Sequence, residues 1–213
     1  MKWLLRLLSS SLGLKLMMAL TGLCFCLFII VHTLGNLTIY GGEAMFNGYA
    51  EHLHALGIVV TVAEWGLLIL ALIHIATGLT LFVQNLSARP VRYKVNRSAG
   101  GRTIGSATMP YTGTLLIVFI VIHLLNFHFV DKSTRTIFEI VSTAFTNPFY
   151  IGLYMVGVVL AAVHISHGFW SAFQTLGANH VKYTPAIRLL SIGLALAVGA
   201  GLGLLPIYIA ISA

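Results

Sequence analysis

The stretch Met155 to Gly177, MVGVVLAAVHISHGFWSAFQTLG, decides the fold. It carries His164 and His167 one helical turn apart, and it lies in a run without Asp, Glu, Lys or Arg that extends from Glu139 to Lys182. A helix needs about 20 mostly apolar residues to cross a hydrocarbon core about 30 Å thick, so this run is long enough. An imidazole at that depth is costly unless something binds it, because hydrocarbon offers no hydrogen-bond partner. Three further apolar stretches each carry one deep histidine: His32, His74 and His123.

Composition agrees with the membrane reading. Of the 213 residues, 58% are hydrophobic and only 8% charged, with a mean hydropathy of +0.95; a soluble domain is about a quarter charged. An all-α integral membrane protein follows, a single membrane domain over residues 1–213. Its five transmembrane helices are expected at about 16–40, 58–86, 109–130, 149–176 and 187–211. Helices are required because a lone span must satisfy its own backbone. Residues 1–15 mix charges with leucines and read as an interfacial segment rather than a cleaved signal. Cys24 and Cys26 point to different helix faces and cannot bridge each other, and no Cys-x-x-Cys-His attaches a c-type haem.

Charge orients the chain. Of the 12 Lys and Arg residues, Lys2, Arg6, Lys15, Arg89, Arg92, Lys94, Arg97, Arg102, Lys182 and Arg188 fall on one side, and only Lys132 and Arg135 on the other. The positive-inside rule places the N-terminus in the cytoplasm. Glu43, Glu51, Glu64, Asp131 and Glu139 then lie at or near the outer face. The net charge of +7 describes a basic inner surface and not a nucleic-acid binder. That surface attracts the anionic head groups of the lipid bilayer, or it is a docking face for a soluble partner.

Depth pairs the histidines. Each lies about 14 to 17 residues past the start of its span, roughly 20 to 25 Å along the helix. Spans one and three run outward, so His32 and His123 share the outer half; spans two and four run inward, so His74 and His164 share the inner half. A membrane histidine is often a hydrogen-bonded helix contact, but four falling into two matched levels favour ligands. Paired neutral imidazoles suit an iron porphyrin, which brings its own equatorial nitrogens. Zinc would want further ligands at the same depth. Gly35, Gly78 and Gly168, at i+3 or i+4 from a histidine, would let a flat macrocycle approach, or serve as ordinary small-residue packing.

The stretch Ser10-Ser-Leu-Gly-Leu-Lys15-Leu-Met-Met-Ala-Leu-Thr21-Gly22, followed by Phe28-Ile-Ile-Val-His32-Thr-Leu-Gly35-Asn36-Leu37, resembles the cytochrome b anchor subunit of succinate:quinone oxidoreductases. The type is the five-helix, single-chain, dihaem subunit of succinate dehydrogenases and fumarate reductases. The run His164-Ile-Ser-His167-Gly-Phe-Trp170-Ser-Ala-Phe-Gln-Thr-Leu-Gly177 is similar to the fourth-helix signature of that family. The resemblance covers essentially the whole chain. It implies that four of the five helices form a dihaem-binding bundle, with His32 and His123 on the outer haem iron and His74 and His164 on the inner one. Two haem b groups and a quinone of the menaquinone type are implied as cofactors and substrate. An iron–sulfur subunit on the basic cytoplasmic face and a flavoprotein subunit are the implied partners, in the bacterial cytoplasmic membrane. Dimerisation of the heterotrimer is left open.

Within the resemblance His167 competes with His164; the family pattern favours the first. His167 then lies one turn nearer the cytoplasm, toward an inner haem propionate, with Lys15, Ser11 and Trp170 as further candidates on position. Ala162 stands where some fumarate reductases of the family carry a glutamate, so a compensating proton path through that helix is not expected. In the outer connection GGEAMFNGYAEHLHALG (41–57), a surface helix from Glu43 to Leu56 would align Asn47, Glu51 and His54 on one face. That face is the candidate quinone site, since a hydroquinone needs hydrogen-bonding groups and proton acceptors; the alternative is a solvated polar face. Span five, with Gly193, Gly199, Gly201, Gly203 and Pro206, reads as a scaffold helix that packs closely and kinks late. FAD and iron–sulfur clusters belong to partners, because the chain has no Gly-x-Gly-x-x-Gly and no cluster-type cysteines. Two other classes fit the histidines: a dihaem cytochrome b of a formate dehydrogenase or hydrogenase, and a haem-free proton-coupled transporter.

Overall fold

The structure is a computed structural model that describes residues 6, 7, 9–88, 91 and 103–212. The cations Lys2, Arg89, Arg92, Lys94, Arg97 and Arg102 lie outside the described residues. Seven helices are described: α1 (Ser11–Leu37, continued by a 3₁₀ turn, Thr38–Gly41), α2 (Glu43–Ala55), α3 (Ile58–Ser87) and α4 (Ile104–His123, continued by a π-helical turn, Leu124–His128), then α5 (Ile137–Ala144), α6 (Pro148–Thr175) and α7 (Thr184–Ser212). No strand occurs among the described residues. Five of these helices, α1, α3, α4, α6 and α7, are long and apolar enough to cross a membrane.

Helix starts are set by caps that hydropathy does not register. The Ser10 hydroxyl accepts from the Gly13 amide at 3.1 Å and starts α1 at Ser11, so residues 11–15 are its first turn and not a separate interfacial segment. Thr103 and Ser106 form a reciprocal capping box that starts α4 at Ile104, five residues before the expected Met109. The polar run around Ser106 and Thr108 hides those turns from a hydropathy window. Asn147 caps α6 with Pro148 at its first position. Gly42 and Gly57, with φ of 90° and 52°, flank α2 and turn the chain at both ends of it.

Packing is uneven. Helices α1 and α6 lie against each other; α3 packs on α1, α4 packs on α6, and α7 fills the groove along α6 and α1. By contrast α3 and α4 barely meet. The order around the bundle is therefore α1, α3, α4, α6, with α7 outside it. Ser191, Ala195, Val198, Leu205 and Ile209 form the buried seam of α7 at three- and four-residue spacing. Gly199 and Gly203 of that helix face Ala162 and Val158 on α6, and Gly201 faces Thr33 on α1, which is the close small-residue packing expected of span five. Ser191, fully buried, donates its hydroxyl to the Ser166 carbonyl at 2.8 Å.

Large apolar side chains cover the outside of every long helix, among them Leu27, Leu72, Val159 and Leu196, each at least 60% exposed. Such a belt is compatible with a lipid surround. The densest core lies instead at the end opposite the N-terminus. There α2 and the short α5, which the sequence reading did not expect, fold across the helix ends and bury Ile39, Phe46, Val141, Phe145, Tyr154 and Leu205 together. A capping box of Thr136 and Glu139 starts α5. Phe119 lies over Gly157 in this region, where an added Cβ would overlap its ring. Gly157→Val is expected to destabilise by about 1–3 kcal/mol through overpacking, read as a lower thermal midpoint by circular dichroism in detergent.

Candidate histidine centres

The structure brings the four deep histidines together as two pairs. His74 on α3 and His164 on α6 have ring centroids 6.4 Å apart, at an interplanar angle of 67°. His32 on α1 and His123 on α4 are 5.8 Å apart at 84°. Both pairs cross a diagonal of the four-helix bundle, and they sit at two levels: the first nearer the N-terminal end, the second nearer the α2–α5 cap. All four side chains are half-buried.

Proton bookkeeping at the first pair is informative. The Thr21 hydroxyl gives its one proton to the Met17 carbonyl at 2.7 Å. Its contact with His74 Nδ1 at 2.9 Å then suits an imidazole N–H donor, the tautomer that leaves Nε2 free. Thr112 has the same place on the other side, with its hydroxyl 3.1 and 3.2 Å from the carbonyls of Thr108 and Met109 and 3.1 Å from His164 Nδ1. In the Nδ1–H tautomer that suits these contacts, both neutral rings present a bare Nε2 lone pair, with no partner for it among the described residues. Each ring also rests on the glycine after its threonine. A Cβ on Gly22 would lie 3.4 Å from His74 Cε1, and one on Gly113 would lie 3.4 Å from His164 Cε1. These Thr-Gly pairs seat the imidazoles of His74 and His164. Gly35 faces Tyr49, Gly78 faces Met18 and Gly168 faces Met109.

The second pair is held by aromatic rings. His32 stacks on Phe28 at 5.3 Å, and its backbone carbonyl accepts from the Asn36 amide at 2.8 Å. His123 is boxed by Phe119, Phe127 and Tyr154. Its Nδ1 is buried without a hydrogen-bond partner among the described residues. His74 and His164 each bond a threonine on a neighbouring helix, as a polar helix–helix contact does, but the two imidazoles of each pair make no hydrogen bond to each other.

No family model, curated protein or solved structure matches the chain. The chemistry of the site rests on the residues themselves. Two imidazoles bonded at about 2 Å to one shared metal place their centroids about 6 Å apart, and both pairs have that spacing. Among the described residues no three of His, Cys, Asp and Glu gather as a metal group. A metal that carries its own equatorial nitrogens needs only two axial donors, so the donor set fits a haem.

The remaining candidates are placed less uniformly. His167 sits with its ring edge against Trp170 at 5.0 Å and its Nδ1 3.4 Å from the Thr103 hydroxyl. The Arg188 guanidinium lies over the other side of this group, 4.5 Å from the Trp170 ring, and its Nε is buried without a partner among the described residues. Sequence reasoning treated Arg188 only as one more basic residue; its place beside Trp170 depends on how α7 packs on α6. Lys15 and Ser11 are exposed on α1 and make no side-chain contact with His167 or Trp170. At the other end, Asn47, Glu51 and His54 do share a face of α2, which stops at Ala55, one residue before the expected Leu56. They line a cavity of about 400 Å³ opposite Lys132 and Arg135. The Asn47 amide is engaged there, accepting from Phe138 N at 3.0 Å and donating to Glu43 at 3.4 Å.

Proposed function

We propose that this chain is a dihaem cytochrome b membrane subunit of the succinate dehydrogenase and fumarate reductase type, relaying electrons between a membrane quinone and soluble partner subunits. The observation that carries the reading is the pair His74 and His164, whose threonine bonds leave two bare Nε2 atoms across a gap suited to one metal. His32 and His123 form a second pair at similar spacing, with Asn36 Nδ2 3.5 Å from His32 Nε2 and His123 Nδ1 unpartnered among the described residues. A bound haem supplies one-electron redox chemistry, which neither imidazoles nor threonines can provide. The protein's part is to hold ring planes, fix tautomers and exclude water. Thr21 and Thr112 hold ring plane and tautomer for one pair; Phe28, Phe119, Phe127 and Tyr154 pack the rings of the other and exclude water from them.

The motifs in α1 and α6 that resemble the family support the choice of enzyme. So does the excess of Lys and Arg in the N-terminal segment and in the sequence connections after spans two and four, which would suit an iron–sulfur subunit and a flavoprotein on the cytoplasmic side of a bacterial membrane. Menaquinone is the expected quinone. Succinate oxidation and fumarate reduction would use the same ligands. The test is a reduced-minus-oxidised spectrum with haem quantification on the protein purified from its native membrane. Two b-type haems per chain, co-purifying with a flavoprotein, are expected. A folded, colourless protein would overturn the reading and favour the proton-coupled transporter.

A further inference from the structure

The chain has five acidic residues, and four of them have a partner in the structure. Glu43 Oε1 accepts from the Asn47 amide at 3.4 Å, Asp131 Oδ1 from Ser133 N at 2.9 Å and Glu139 Oε2 from Thr136 N at 2.7 Å. Glu64 Oε1 lies 3.8 Å from His128 Nδ1. Glu51 has no hydrogen bond and no ion pair among the described residues, although it lines one cavity with Lys132 and Arg135. Opposite charges within reach of each other gain from pairing even when exposed, by up to about 1 kcal/mol. Here a space of about 400 Å³ lies between them.

Both walls of this cavity are held in place. One is α2, with Glu51 and His54 a turn apart; the other is the connection from Lys132 to Thr136 that leads into α5. The Asn47 side-chain carbonyl accepts from Phe138 N at 3.0 Å and ties α2 to the first turn of α5. Phe46, Val141 and Phe145, from the same two helices and the end of α5, share one buried core. The Lys132 ammonium donates to the His128 carbonyl at 3.0 Å, which pins it at the end of the π-helical turn and leaves it two further protons. Arg135 makes no hydrogen bond among the described residues, and Asp131, which its charge also reaches, is already held by Ser133 N. His54 donates its Nδ1–H to the Ala50 carbonyl at 2.8 Å; a carbonyl can only accept, so the neutral ring keeps Nε2 as an open acceptor.

We propose that this cavity binds the phosphoethanolamine head group of a membrane phospholipid. The phosphate takes N–H donors from Arg135 and Lys132, and the primary ammonium donates to the Glu51 carboxylate and to His54 Nε2. A zwitterion satisfies both walls at once. An anionic glycerol head group leaves Glu51 unpaired, a choline head group has no N–H to give it, and an uncharged ring answers neither charge. The volume is that of a small-molecule site at the lower end of the usual range. A lipid fits the place better than a soluble zwitterion, because the cavity lies at the end of the bundle where the apolar spans stop. Leu53 and Leu56 on α2, and Phe129 shortly before Lys132, are exposed there and offer acyl chains an apolar surface. The proposal concerns this polar cap alone and is independent of the haem reading.

The test is native mass spectrometry of the purified, delipidated protein titrated with dioleoyl phosphatidylethanolamine and, separately, dioleoyl phosphatidylcholine. Wild type is expected to hold the ethanolamine lipid about ten-fold more tightly, the scale of one charge-assisted hydrogen bond. Glu51→Gln should bring the ethanolamine lipid down to the choline level, while Arg135→Gln should weaken both lipids; circular dichroism checks that each variant keeps its helices. Equal affinity for the two lipids in wild type, an undiminished preference in Glu51→Gln, or unchanged binding in Arg135→Gln would overturn the proposal. Soluble phosphoethanolamine that displaces the lipid at equal concentration would overturn the assignment to a lipid and make the cavity a site for a soluble zwitterion.

Discussion

On the dihaem reading, His164→Ala is expected to leave the chain with one haem instead of two, and His74→Ala to remove the same spectral component. The expectation follows from the 6.4 Å spacing of these rings and their bare Nε2 atoms. Either change leaves a single axial donor at that level. His32→Ala and His123→Ala should remove the other component, because those rings form a separate pair 5.8 Å apart. His167→Ala should retain both, since that imidazole is turned toward Thr103 and Trp170 and has no histidine opposite it. Haem quantification and low-temperature spectra of the five variants provide the measurement. Retention of two haems in His164→Ala, with loss of one in His167→Ala, would exchange the roles of the two residues.

Thr21→Val and Thr112→Val are the second large effects. Each keeps the shape of the side chain and removes the oxygen that accepts the imidazole Nδ1–H, at 2.9 Å for His74 and 3.1 Å for His164. Without that acceptor the tautomer and the ring plane are free to change, and Nε2 is no longer the atom presented to the gap. Losses of about 10- to 100-fold in haem retention at that pair are expected, the usual effect of removing a partner that orients a metal-bound histidine. Haem transfer to an excess of a scavenging protein measures it, with the His32–His123 pair as the internal control. Serine at either position should restore retention. Equal retention in the valine variants would show that packing against Gly22 and Gly113 alone holds the rings.

Much of this arrangement is legible along the chain. The number of spans and their apolar character follow from the composition of each run, since lipid admits only stretches that satisfy their own backbone. The two-level pairing of His32 with His123 and of His74 with His164 is also a one-dimensional property. Depth is residue number multiplied by a fixed rise, and the direction of travel alternates from span to span.

Azimuth and helix neighbours are not legible in that way. Nothing in residues 16–40 says that Thr21 and Gly22 meet His74, 53 positions away, rather than a lipid chain. Which glycine meets a histidine ring is likewise decided by helix neighbours: Gly22 and Gly113 lie against His74 and His164 from the adjacent helices, while Gly35, Gly78 and Gly168 face Tyr49, Met18 and Met109. The start of α4 and the whole of α5 escaped because capping boxes, not hydropathy, create them.

By itself, then, the sequence determined the class of the protein, its five apolar spans and the depth of its histidines, because these depend on local composition and a constant rise per residue. The tertiary structure decided which side chains face each other: the diagonal crossings, the threonine-held tautomers, Arg188 over Trp170, and Glu64 beside His128. Those contacts arise from the simultaneous packing of α1, α3, α4, α6 and α7 and from one π-helical turn, and no single span contains the information for them.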